Sequence, residues 1–214
     1  FVLDALEKGA GAAMISRLPD GLSADAPVIL VEDVQKALEA LATASRTRSK
    51  AKILAITGSV GKTSTKDMLR TVLEKQGRTH ASVASYNNHW GVPLTLARMP
   101  VETEYGIFEI GTNHPGEIAP LARLVRPDVV LITMVSAAHL ESFGSVEAIA
   151  EEKAAIMDGL NSNGTAVLNA DISTEPVLRR VADQIACVQV WFGRGAVDAQ
   201  LTPVSYTHLT LPTT

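Results

Sequence analysis

One cysteine, Cys187, in 214 residues leaves no partner for a disulfide inside the chain. A disulfide framework is therefore excluded, a cysteine-rich zinc cluster goes with it, and the count fits a reducing compartment, the cytoplasm. Neither sign of charge is in excess: 19 Lys+Arg against 23 Asp+Glu give a formal net charge of −4. No global basic field speaks for nucleic acid or an anionic membrane, so any anionic ligand must be held by a local device. No apolar run approaches the roughly 18 to 20 residues that span a bilayer. Internal repeats are missing too. The chain opens with Phe1 inside a helical pattern (Val2, Leu3, Leu6) rather than in a targeting signal, which reads as a start within a longer protein. Residues 202–214 (TPVSYTHLTLPTT) carry no charged side chain and do not continue the preceding pattern, which reads as a non-native tail.

What is present is an alternation. Residues 1–50 hold a short helix ending near Gly9, an apolar run at Ala12–Ile15, a strand Val28–Val31, and a helix with Val34, Leu38 and Leu41 on one stripe. The polar stretch Ser45–Lys50 reads as a domain linker, with a boundary near residue 48. From residue 52, strands and helices take turns. Strands are expected at Ile53–Thr57, Thr79–Val83, Tyr105–Ile110, Asp128–Thr133, Thr165–Asn169 and Val188–Phe192. Helices are expected at Lys62–Gln76, from Pro93, at Glu117–Val125, Val146–Leu160 and Thr174–Ile185. The strands are continuously apolar rather than alternating, so the fold class is α/β: a mostly parallel sheet with helices on both faces, preceded by a smaller α/β unit.

The strand ILAIT runs into Gly58-Ser59-Val60-Gly61-Lys62-Thr63-Ser64 and a helix starts at once. Such a turn aims backbone N–H groups and the positive helix end at a phosphate; Lys62 adds a charge, and Thr63 can ligate Mg²⁺. The motif is a short GxxGKT variant, since Ile56 stands where a longer P-loop has its first glycine. An ordinary glycine turn is the competing reading. Glu109 ends an apolar strand at the sheet edge where open α/β sheets bind ligands, and a carboxylate there calls for a cation, Mg²⁺, unless it is simply a solvated edge residue. His139 follows the strand ending at Thr133, where a lone histidine is more often structural than catalytic. Lys153 falls at the i+7 position of a stripe formed by Val146, Ile149, Ala150, Ile156, Met157 and Leu160. A lysine on an apolar stripe needs a partner, a depressed pKa or modification, or else it snorkels.

The segments ITGSVGKTSTKDML, SYNNHWGVPLTLARMP, FEIGTNHPGEI, SAAHLESFGSVEAIAEEKAAI and LNAD, in this order and spacing, resemble the Mur ligases across roughly residues 1–195. The NNHWGVP and GTNHPGEI segments favour the branch that joins D-Ala-D-Ala to UDP-MurNAc-tripeptide. The resemblance implies that 1–48 end a UDP-sugar-binding domain and that 49–201 are a truncated central ATP-binding domain. A C-terminal domain and the adenine contacts would lie outside this stretch, and 202–214 would belong to neither domain. It implies an ATP-driven peptide ligase acting as a monomer on UDP-MurNAc-peptide and D-Ala-D-Ala through an acyl phosphate. By position, Gly58–Ser64 match the phosphate cradle, with Lys62 catalytic. Two Mg²⁺ sites are implied, with Thr63 and Glu109 as metal ligands and His139 at the second site. Lys153 matches the N-carbamylated lysine that serves that second site, and Asn87 and Asn88 lie beside the substrate. Other readings are a neighbouring Mur or folylpolyglutamate synthase-type ligase, a P-loop NTPase or phosphotransferase, or a binding module without turnover.

Overall fold

A computed structural model describes residues 1–200 except 139, 186 and 196. Its elements in chain order are α1 (Val2–Glu7), β1 (Ala13–Ile15), β2 (Val28–Leu30), α2 (Val34–Arg48), β3 (Lys52–Thr57), α3 (Lys62–Leu73), β4 (Thr79–Ala81) and α4 (Gly91–Ala97). They continue with β5 (Tyr105–Glu109), α5 (Ile118–Val125), β6 (Val129–Ile132), α6 (Leu140–Phe143), α7 (Val146–Ala154), a 3₁₀ turn (Ala155–Gly159), β7 (Thr165–Asn169), α8 (Glu175–Gln184), β8 (Val188–Gly193) and β9 (Ala199–Gln200).

β1 and β2 form a small parallel pair, and the other strands form one seven-stranded sheet in the order β4-β5-β3-β6-β7-β8-β9. Every described pairing is parallel. The strands of the large sheet therefore all end at the same edge, where the loops after β3, β5 and β6 meet.

The two faces of the sheet are covered unequally. Ile53, Ala55, Phe108, Ile110, Val130, Ile132, Ala166 and Leu168 share one core with apolar residues of α4, α5, α7 and α8. Residues of the opposite parity, Ile56, Ile107 and Glu109, are buried on the side where α3 lies. Further along that side, Leu54, Val129, Leu131, Val167 and Val190 are only half-buried.

Three local expectations need correction. Residues 45–48 are not the start of a linker but the last turn of α2. Ser45 and Arg46 are buried there, and Arg46 donates from Nε to Val125 O at 2.8 Å and from Nη2 to Arg126 O at 2.8 Å. Those carbonyls close α5, whose last C=O groups lack partners within the helix, and the polar residues of α2 are used to satisfy them. The helix expected to run to Leu160 is α-helical only to Ala154 and then tightens into a 3₁₀ turn. The turn ends at Gly159, where a Cβ would collide with the Ala122 carbonyl, so close contact with α5 sets the geometry. α3 stops at Leu73 rather than at Gln76.

Candidate functional site

The turn after β3 is built from contacts that admit only small residues. A Cβ on Gly58 would collide with Thr133 Oγ1, and Gly61 takes a left-handed φ of 84° as it caps α3. Thr133 Oγ1 donates to Val60 O at 2.7 Å, and Ser59 N donates to Met134 O at 2.7 Å. Ser59 Oγ donates to Ser136 O at 3.1 Å and accepts from Ser136 N at 3.0 Å. The end of β6 thus pins the glycine turn, and the loop leading toward residue 139 is tied to it. His139 itself lies outside the described residues.

Lys62 opens α3 and folds back, donating from Nζ to Gly58 O at 2.8 Å. Burial lowers its pKa, and the nearby Glu109 carboxylate offsets this in part. Thr63 Oγ1 donates to Glu109 Oε2 at 2.9 Å, and Asn87 Nδ2 donates to Glu109 Oε1 at 2.8 Å. Glu109 is 1% exposed. Both of its hydrogen-bond donors are neutral, and among the described residues no cation lies within ion-pair distance of it. A buried carboxylate is costly without a counter-charge. Glu109 beside a threonine hydroxyl therefore fits a hard divalent cation. Among the described residues no group of three or more His, Cys, Asp and Glu side chains converges, so such an ion would draw its remaining oxygens from a bound phosphate or water, as Mg²⁺ commonly does.

Lys153 on α7 is 3% exposed, so it does not snorkel to the surface. Its pKa is lowered to about 8, first by burial and then by the charge of Lys62, with Glu152 pulling the other way. Two lysines from different helices thus bear on the same region. Glu152 turns aside to accept from Gly116 N at 2.7 Å and from Ile118 N at 2.8 Å.

Lys62, Asn87, Asn88, His89, Gly111, Thr112, Asn113, His114 and Glu117 line a cavity of about 320 Å³ at this edge. Glu117 Oε2 accepts from Thr112 Oγ1, Asn113 N and His114 N. Burial pushes the Glu117 carboxyl up, but these hydrogen bonds and the charge of His114 outweigh it and leave its pKa lowered. Asn88 Oδ1 accepts from Trp90 N and Gly91 N, so that side chain holds the turn that leads into α4. The structure brings together Lys62, Thr63, Asn87 and Glu109, and sets Lys153 near Lys62. His89, His114 and Glu117 were not singled out from the sequence. The only available signal was the density of polar residues in NHPGE, which does not say whether they face a cavity.

Known proteins resemble this chain in sequence and in fold. The family model described as the Mur ligase middle domain matches residues 56–209. The UDP-N-acetylmuramoyl-tripeptide--D-alanyl-D-alanine ligase of Rickettsia prowazekii is 43% identical over 170 residues, covering 79% of this chain and 38% of the relative. The Bacillus subtilis enzyme of that name is 38% identical over 216 residues, covering 99% of this chain and 46% of the relative. A crystal structure of MurF ligase from Thermotoga maritima in complex with ADP superimposes with a TM-score of 0.82 at 30% identity, covering 96% of this chain and 47% of that one. The chain spans less than half the length of these relatives.

Proposed function

The chain belongs to the Mur ligase family, and from that premise we propose that it carries the ATP site of a ligase that joins D-Ala-D-Ala to UDP-MurNAc-tripeptide. The observation that carries this reading is the Lys62–Thr63–Glu109–Asn87 cluster beside a polar cavity at the C-terminal edge of a parallel sheet. The names of its relatives supply the substrates.

In the proposed reaction a carboxylate of the tripeptide attacks the γ-phosphate of ATP, releasing ADP and forming an acyl phosphate. The amine of D-Ala-D-Ala then attacks that carbonyl, phosphate leaves, and an amide and a proton result. Lys62 and the N–H groups of the Gly58–Ser64 loop bind the transferring phosphoryl group and stabilise its developing charge. Asn87 and Thr63 orient the Glu109 carboxylate so that it faces the phosphates. Thr63 and Glu109 would hold one Mg²⁺, which when bound supplies charge neutralisation between carboxylate and phosphate.

His139 and Lys153 are proposed for the second metal. Because the Lys153 pKa is lowered to about 8, a share of its amine is neutral near neutrality. A neutral amine adds CO₂ with loss of one proton, and the carbamate formed is an anion that can ligate a cation. We further propose domains at 1–48 and 49–201. We also propose that it works as a monomer in the cytoplasm, a location that fits the substrates named for its relatives and the lone Cys187. No described helix is long and apolar enough to cross a membrane.

The test is ligation by a complete protein containing these residues. ATP, Mg²⁺, UDP-MurNAc-tripeptide and D-Ala-D-Ala should give amide and ADP in equal amounts, and Lys62→Ala should abolish both. Near-normal turnover by Lys62→Ala would reject the phosphate-cradle assignment. For Lys153, ¹³C-bicarbonate should yield a carbamate resonance that is absent in Lys153→Met. Lys153→Ala should regain part of its lost activity with a short carboxylic acid, and full activity of Lys153→Met would end the carbamate reading.

A further inference from the structure

α3 buries one residue, and it is a lysine. Lys66 is 3% exposed, while Met68 and Val72 on the same helix are open to solvent. A buried ammonium is disfavoured unless its donors are used. Lys66 Nζ donates to Ala84 O at 2.9 Å and lies 3.3 Å from Asp67 Oδ1. Ala84, the acceptor, has a φ of 49°, a left-handed backbone at a residue other than glycine. Such a conformation persists only where its surroundings hold it.

The segment hooked at Ala84 starts and ends at Glu109. At one end, Ser82 N donates to Ile107 O at 3.1 Å and Ser82 Oγ accepts from Glu109 N at 3.3 Å. At the other, Asn87 O accepts from Gly111 N at 2.8 Å while Asn87 Nδ2 holds Glu109 Oε1. Thr63, one helical turn before Lys66, holds the other oxygen of Glu109. The first turn of α3 therefore grips the carboxylate directly through Thr63 and the loop that orients it through Lys66.

We infer that Lys66 is a positioning residue that couples occupancy of the Gly58–Ser64 loop to the geometry of the 82–87 loop, and through Asn87 to Glu109. It touches no substrate. The coupling half of this inference rests on the nucleotide site proposed above; the positioning half does not.

The experiment uses a complete protein containing these residues, with Mg·ADP as probe. Amide exchange at Gly111 reports the Asn87 contact. The emission of Trp90, three residues beyond Asn87 and 45% exposed, reports the loop in a background where Trp191 and any other tryptophan are replaced by Phe. In Lys66→Met, Gly111 exchange should rise about tenfold or more. Mg·ADP affinity should stay within about threefold of wild type while the Mg·ADP-induced change in Trp90 emission is lost, and Lys66→Arg should restore both signals. Unchanged Gly111 exchange in Lys66→Met overturns the inference. A parallel loss of Mg·ADP affinity, about tenfold or more, also overturns it, because Lys66 would then belong to the phosphate cradle. If the wild-type chain binds no Mg·ADP, the nucleotide reading and the coupling fail together, and Gly111 exchange still decides the positioning. Should Lys66→Met not fold, Lys66→Gln, which keeps one donor for Ala84 O, must give an intermediate exchange rate; a wild-type rate there overturns the inference.

Discussion

Thr63 Oγ1 donates to Glu109 Oε2 at 2.9 Å, joining the first turn of α3 to the end of β5 across 46 residues of sequence. Among the described residues this hydroxyl and Asn87 Nδ2 are the side-chain donors to a carboxylate that is almost fully buried. The arrangement is the one expected when a cation, rather than a lysine or arginine, completes the site.

If Thr63 and Glu109 act as a unit, their variants should not add. Thr63→Ala and Glu109→Gln should each weaken Mg²⁺-dependent nucleotide binding by about tenfold or more, roughly 1.4 kcal/mol per decade. The double variant should lose clearly less than the sum. Calorimetric titration of ADP with and without Mg²⁺ measures this, and strictly additive losses would contradict a shared ion.

Lys153 makes stability depend on pH in a definite direction. Its folded pKa of about 8 lies below the ordinary 10.5, so the fold penalises the charged form. The penalty is complete below pH 8 and is relieved as pH rises from about 8 toward 10.5, where the unfolded lysine also loses its proton. At full size it is about 3 kcal/mol. In CO₂-free buffer, Lys153→Met should melt several degrees above wild type at pH 7, and the gap should shrink as pH approaches 10. Thermal denaturation across that range measures it; a gap that ignores pH would show that burial of charge is not its origin.

Arg46 tests whether α2 belongs with the large sheet. Its guanidinium satisfies the Val125 and Arg126 carbonyls at the end of α5, and removing it leaves a buried acceptor without a partner. Arg46→Ala should cost about 2 to 4 kcal/mol in one cooperative urea transition. A change under about 0.5 kcal/mol, the size typical of a surface substitution, would mean that α2 is not integral to this unit.

Loss of the Glu117 carboxylate should loosen the cavity wall. Glu117→Ala removes the acceptor shared by Thr112 Oγ1, Asn113 N and His114 N. Amide exchange at Asn113 and His114 should rise by about tenfold with little change in global melting. The wild-type pKa is lowered, so this carboxylate stabilises the fold above its unfolded pKa, and that contribution is lost as pH falls through the folded value. The same two amides should therefore lose protection in acid, and retained protection well below the ordinary glutamate range would contradict the assignment.

Much of the fold was legible because its signals are local. Continuous apolar runs separated by helical stripes announced a parallel sheet, and GSVGKTS announced a glycine turn between strand and helix. The stripe broken at Lys153 was legible as an anomaly, and its 3% exposure bears that out. The misread pieces were those whose chemistry depends on distant partners. SRTRSK looks like a linker because its residues are polar, yet Arg46 is buried against carbonyls 79 and 80 residues away.

The sequence by itself determined the class of the fold, the glycine turn and the order of its motifs, because backbone propensity and hydrophobic periodicity act over a few residues. Only the tertiary structure decided which polar residues meet. Parallel register brings the ends of β3, β5 and β6 to one edge, so Thr63, Asn87 and Glu109 converge although the sequence spaces them widely. It also decided that Asn88 holds the turn into α4 while its neighbour Asn87 faces Glu109. The physical reason is that a buried hydrogen bond is directional and short-ranged, so its partner follows from where two chain segments pack and not from either segment alone.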